Sequence, residues 1–232
     1  MPEIEYLVQN KMKKIKISII LNIILFVLMV FALYMALSGL SFDMTFKKHS
    51  IHIFKYFTVL SNILMGIVAL VFAIREILYL KNNKEISKYF YVAKHIATTC
   101  VALTFLTVVL LLAPVFYKEK FFDAFHDANF FYHFLNPVLA IIVFVFFENT
   151  NKLSIKTALF GMVPFGVYSI FYLITAITHM SGGKVDTKYD WYGFFYFGVP
   201  IFFVLMIFMI SLTFLISFIL YKANKKLYKN SN

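Results

Sequence analysis

The chain has 232 residues, is 62% hydrophobic and only 14% charged, and has a mean hydropathy of +0.82. Soluble domains are about half apolar and about a quarter charged, and one core of this size cannot hide so much apolar surface from water, so the composition points to an integral membrane protein. The net charge of +11 fits basic residues gathered at helix ends beside anionic lipid. No aromatic–basic recognition motif accompanies it, so nucleic acid is not an expected partner.

Six apolar stretches reach the roughly 20 residues that a helix needs to cross a bilayer. They lie at Ile17–Leu40, Phe54–Leu80, Ala93–Phe116, Asn129–Phe147, Thr157–Thr178 and Phe194–Tyr221. Barrel strands would alternate in polarity and be about half as long. The first stretch follows Lys11, Lys13, Lys14 and Lys16. Its apolar run exceeds the 7–15 residues of a signal peptide, so a retained helix is expected. The preceding Pro2–Ser18 segment reads as a short interfacial helix.

With the N-terminus inside, fifteen of the 22 Lys and Arg residues fall on the inner side, Lys94 among them. The expected fold is therefore all-α: a polytopic integral membrane protein, one six-helix domain over residues 1–232 with both termini cytoplasmic. No internal repeat is visible. Arg75 is the lone arginine among many lysines, a bias suited to an A+T-rich, bacterial genome and hence a bacterial plasma membrane.

Two polar motifs interrupt the outer half. "KYFTVLSNIL", residues 55–64, brings Thr58, Ser61 and Asn62 at the i, i+3, i+4 spacing of one helical face. "NFFYHFLNPVLA", residues 129–140, brings His133 and Asn136 on one face of the fourth span. Thr58 and His133 each lie about four residues past the expected helix start, roughly 6 Å below the outer boundary. Pro137 removes the donor for the carbonyl of residue 133 and bends the helix there. Pro164 and Pro200 act likewise on the carbonyls of Phe160 and Tyr196.

A threonine hydroxyl beside a neutral imidazole can attack an ester carbonyl while the imidazole takes its proton. Asn62 or Asn136 would orient the histidine or donate to the oxyanion. A third member would come from an outer loop, with Asp186 and Asp190 the available carboxylates. Packing is the competing reading for Thr58 and Ser61, because hydroxyls in spans often bond the i−4 carbonyl or a neighbouring helix. Trp191, with Tyr189, Tyr192 and Tyr196, reads as an interfacial aromatic belt or the wall of a headgroup site.

His49, His52, His126 and Asp127 lack the spacing of a closed zinc set. Cys100 stands alone, which excludes an internal disulfide and reads as a small core residue. No metal or other cofactor is expected. The apolar inner half and the lack of repeats place a transporter behind the other readings.

The six-span order, "FTVLSN" opening the second span and His133 with Pro137 opening the fourth resemble the androgen-induced-gene-1/FAR-17a family and its bacterial Pr6Pr-type relatives. Characterised eukaryotic members are membrane hydrolases that cleave fatty-acid esters of hydroxy fatty acids with an intramembrane threonine and a histidine. The resemblance implies Thr58 as nucleophile and His133 as general base, with no catalytic role for Ser61 or Asn62. The chain departs from the family at Leu60, where a polar residue is common, and at Phe134 and Leu135, where a threonine shortly follows the histidine. The expected function is an intramembrane lipid-ester hydrolase or acyltransferase, its partner a membrane lipid or fatty-acid ester. Catalytic residues are Thr58 and His133, supported by Ser61, Asn62, Asn136 and Trp191. The alternative is a non-catalytic membrane protein that binds a lipid or small molecule.

Overall fold

The structure, a computed structural model, describes residues 2–42, 51–196 and 198–229. Among them are six helices long and apolar enough to cross a membrane, as an integral membrane protein requires. Helix α1 runs Pro2–Ser38, α2 Phe57–Asn82 and α3 Lys88–Thr107. Helix α4 spans Ala128–Phe147. The fifth crossing is broken into α5 (Ile155–Gly161) and α6 (Val163–Thr178), and α7 runs Val199–Lys229. A two-residue hairpin, β1 (Met180–Ser181) with β2 (Lys184–Val185), follows α6.

The expected spans all recur, with shifted ends. Pro2–Ser18 is not a separate interfacial helix but the first turns of one 37-residue helix. Its residues Lys11–Ile20 are strongly helix-forming or apolar and contain no Gly or Pro to stop it. The last helix begins at Val199, not Phe194. Pro200 therefore starts α7, where its missing N–H costs nothing, and does not kink it. Pro164 does break the fifth crossing: it lies at the second position of α6. Pro137 acts on the turn before it, where Phe131–Leu135 widens into a π-helical turn and Asn136 N–H bonds the carbonyl of Phe131. Such π-turns are rare and frequent at functional sites.

Helix α3 is the most buried of the six and packs against α2, α4, α5 and α7. Small residues allow the closest approaches. A Cβ on Gly161 would stand 2.1 Å from Ser217 Oγ and 2.8 Å from Ser217 Cβ, so α5 and α7 touch backbone to side chain there. Cys100, in α3, is sealed in this core.

The half expected to be inner is not uniformly apolar. The end of the bundle that carries both termini buries Ser18, Asn22, Glu76, Lys94, His95 and Glu148. Lys94, counted from the sequence among the inner-side basic residues, is instead fully buried and paired with Glu148 at 3.1 Å. The argument against transport from an apolar inner half therefore falls. Buried charge is tolerated because each ion is paired and hydrogen-bonded.

Close packing at Gly161 generates a contrast. Gly161→Ala is expected to destabilise the fold by about 1–3 kcal/mol, as overpacking does. Gly166→Ala, with no atom within 4 Å of the new Cβ, is expected to leave stability unchanged or raise it by a few tenths to about 1 kcal/mol. Thermal midpoints of the two variants in one detergent check this.

Candidate active site

The two motifs meet through amides. Asn62 Nδ2 donates to the carbonyls of both Thr58 (2.9 Å) and Tyr132 (3.1 Å). Asn136 Nδ2 donates to Asn62 Oδ1 at 3.2 Å. One nitrogen thus bonds the backbone of Thr58 and that of the residue preceding His133, which holds the two motifs at one depth. Asn62 and Asn136 are both 1% exposed. Their polarity is affordable in an apolar bundle because each amide serves the other helix.

The start of α2 is fixed from outside the helix. Its first N–H groups have no intrahelical acceptor, and Tyr56 at the cap position supplies none. Instead the Phe57 N–H donates to Tyr192 Oη at 2.9 Å. Burial raises the Tyr192 phenol well above its ordinary range, so it serves as a neutral acceptor. Tyr192 belongs to a packed aromatic group. Trp191 donates to Tyr168 Oη at 3.0 Å and meets Tyr172 edge to face with ring centres 4.8 Å apart. Tyr168 Oη donates to the Lys55 carbonyl at 2.7 Å. The structure thus places Trp191 in the brace that seats Thr58. Among the described residues it makes no hydrogen bond or ring contact with His133.

His133 is oriented by a backbone group that spacing did not reveal. Its Nδ1 lies 2.7 Å from the carbonyl oxygen of Ala124, in the short helical segment Lys118–Phe125 before α4. A carbonyl only accepts, so Nδ1 carries a proton, and in the neutral ring the lone pair is on Nε2. The Phe125 ring stands edge-on to the imidazole at 6.5 Å, and Phe105, Phe125 and Phe134 form the apolar wall beside it. The expected carboxylate partners are occupied elsewhere. Asp190 accepts from Tyr172 Oη and from the Phe195 N–H at 3.1 Å, and Asp186 from the Lys188 N–H at 2.7 Å.

Helix α3 adds hydroxyls that sequence reasoning missed. Ser61 Oγ lies 3.2 Å from Thr104 Oγ1. Since α2 and α3 run antiparallel, Thr58 and Thr107 occupy the next turn outward on their helices. Thr107 Oγ1 is buried without a hydrogen-bond partner, as is Asn136 Oδ1. The i, i+3 spacing of Thr104 and Thr107 was the available signal. Asn62 has both its N–H groups committed, which removes it as an oxyanion donor. Asn136 retains one N–H. Thr58 is half-buried, and no hydrogen bond joins its hydroxyl to His133 among the described residues.

A second hydroxyl–imidazole pair lies in the other half. Ser217 Oγ and His95 Nε2 are 2.7 Å apart, with both side chains fully buried. It ties α7 to α3 beneath the Phe144 ring and is closed to substrate. No group of three His, Cys, Asp or Glu side chains able to hold a metal occurs among the described residues. His52 and His126 are exposed, and His49 lies outside the described residues. The chain matches no family model, no curated protein and no solved structure.

The tautomer of His133 is open to measurement. In protein labelled with 15N-histidine, the His133 Nδ1 resonance is expected at the protonated position and Nε2 at the unprotonated one near neutral pH. The reverse pattern would mean that Ala124 does not orient the ring.

Proposed function

We propose that the chain is an intramembrane lipid-ester hydrolase or acyltransferase in which Thr58 is the nucleophile and His133 the general base. The observation that carries this reading is the Nδ1–Ala124 bond, which leaves Nε2 as a base on the depth level of Thr58. In the attack step the Thr58 Oγ1–H proton passes to His133 Nε2 as Oγ1 bonds the ester carbonyl carbon. The Nδ1–H···O=C bond then stabilises the imidazolium, the part that a carboxylate plays in a Ser-His-Asp triad. Collapse expels the alcohol, which takes the proton from Nε2. Water, or a second lipid alcohol in the transferase, then attacks acyl-Thr58 with the same base.

The unpartnered Thr107 hydroxyl and the remaining Asn136 N–H are donors for the oxyanion. The reading requires that a side-chain rotation bring the Thr58 hydroxyl to His133 Nε2 when substrate enters, as catalytic hydrogen bonds often tighten only in the complex. The phenylalanine wall takes the acyl chain. The basic-residue bias supports a cytoplasmic placing of both termini, with this site then at the outer leaflet. The roles given to Thr58 and His133 are those that the resemblance to the androgen-induced-gene-1 family implies, and that resemblance is part of this proposal. The absence of a Thr58–His133 hydrogen bond among the described residues favours, as second reading, a non-catalytic lipid-binding protein built on the same site.

Turnover of fatty-acid esters of hydroxy fatty acids by protein in lipid nanodiscs separates the two. Thr58→Ala and His133→Ala are each expected to lower the rate at least 100-fold, within the range of general-base catalysis of about 10² to 10⁴. Ser217→Ala should retain activity. A fluorophosphonate probe should label wild type and not Thr58→Ala. Equal labelling, or wild-type turnover in both site variants, sinks the dyad.

A further inference from the structure

Five buried side chains from four elements form a second polar centre at the end of the bundle that carries both termini. Ser18 and Asn22 come from α1, Glu76 from α2, Lys94 from α3, and Glu148 follows α4. All are 3% exposed or less. Lys94 Nζ stands 3.1 Å from Glu148 Oε1 and also donates to Asn22 Oδ1. Asn22 Nδ2 donates to Glu148 Oε1 at 2.6 Å and to Ser18 Oγ at 3.2 Å. Ser18 Oγ then lies 3.0 Å from Glu76 Oε2 and 3.4 Å from Glu148 Oε1.

The hydroxyl is over-subscribed. Both Asn22 N–H groups are spent, and Ser18 has one proton for two carboxylate oxygens. With both carboxylates ionised, one would face a hydroxyl lone pair, and two buried negative charges would share one buried ammonium. A single added proton removes both problems. Glu76 as a carboxylic acid donates from Oε2 to Ser18 Oγ, and Ser18 donates to Glu148 Oε1. The serine then accepts two bonds and gives one. Glu148 Oε1 already accepts from Lys94 and Asn22, so Glu76 is the carboxyl left to carry the added proton. Like carboxylates held close together share a proton for the same reason. A metal is the poorer occupant, because Lys94 already fills the cation position on Glu148 Oε1 and hard cations want six or more oxygens.

A cavity of about 480 Å³ reaches this centre, lined in part by Glu76, Glu148, Tyr79, Tyr91, Lys11 and Lys14. The other oxygen of Glu148, Oε2, is buried without a hydrogen-bond partner. We propose that Glu76, Ser18 and Glu148 form a proton-binding site, in which Glu76 holds a proton that exchanges with water in the cavity. The charged and titratable groups around it are Lys94 on α3, Glu148 after α4, Lys11 and Lys14 on α1, Tyr79 on α2 and Tyr91 on α3. Glu85 and Lys152 pair with each other at the cavity wall at 3.2 Å. Arg75 turns away to the Phe90 ring, 4.8 Å from its centre. Only Lys94 and Glu148 lie within the hydrogen-bonded centre, so the site carries one exchangeable proton and not several. This site does not depend on the hydrolase reading.

Infrared spectroscopy of the full chain in nanodiscs tests it. At neutral pH, wild type is expected to show a protonated-carboxyl C=O stretch that shifts down in D₂O. Glu76→Gln, which keeps size and a donor toward Ser18, should lose the band. Ser18→Ala should keep it at a displaced frequency. In wild type alone, raising the pH should abolish the band and lowering it should restore it. No band at neutral pH, or a band unchanged in Glu76→Gln, overturns the proposal. A band that stays unshifted in D₂O overturns its link to the cavity.

Discussion

The Asn62 amide is the contact on which the candidate site depends. In a bundle whose surface is apolar nearly all round, van der Waals packing leaves helices free to slide and rotate, and directional bonds must set their register. Asn62 spends both of its N–H donors, on the Thr58 and Tyr132 carbonyls, and accepts from Asn136 on its oxygen. A residue at the same place with one fewer polar atom would leave a buried carbonyl or amide orphaned, which costs about 1–3 kcal/mol. Asn62 is thus a positioning residue, and the proposed chemistry would fall to the hydroxyl of Thr58 and the imidazole of His133.

Placement of the base is economical in charge. A carboxylate behind His133 would have to be carried into the membrane interior and desolvated there. The Ala124 carbonyl orients the same nitrogen with no charge at all. It can do so because Pro114 and the π-helical turns at Val108–Tyr117 end α3 in a way that lets the following short helix fold back over α4. Ala124 is 1% exposed, and a larger side chain would hold its backbone off the imidazole.

Length and apolarity made the six crossings legible, and the helical spacing of Thr58, Ser61, Asn62, His133 and Asn136 made the outer motifs legible. Other features were hidden for identifiable reasons. A backbone carbonyl such as that of Ala124 has no sequence signature. Glu76, Lys94 and Glu148 lie near helix ends in the chain, where charged residues ordinarily meet water or headgroups, so they read as boundary residues. Only the tertiary arrangement reveals that α1 and α3 close over them. Ser18 was obscured by the same assumption, since the start of α1 reads as an interfacial segment, whereas Asn22 lies inside the first expected span as a single polar residue. Pro200 was misplaced because the aromatic run before it is as apolar as a helix, yet Gly193 and Gly198, both at positive φ, turn the chain there into the brace that holds Trp191 and Tyr192.

The two polar centres share a frame. Helices α2 and α4 run parallel, and each contributes to both centres. On α2 Asn62 and Glu76 are 14 residues apart, roughly 20 Å at the rise of an α-helix, and His133 on α4 and Glu148 just past its end are 15 residues apart. The pair is therefore pinned twice, at one end by Asn62 on Tyr132 and Asn136, and at the other by Ser18 lying between Glu76 and Glu148. Parallel helices pinned at equal intervals cannot slide past one another without breaking both sets of bonds. The outer clamp is built from neutral amides and keeps its strength at any pH, whereas the inner clamp needs a proton to satisfy its serine. The register of α2 against α4 is thus held by one contact between neutral amides and one that contains the carboxyl group proposed to carry a proton.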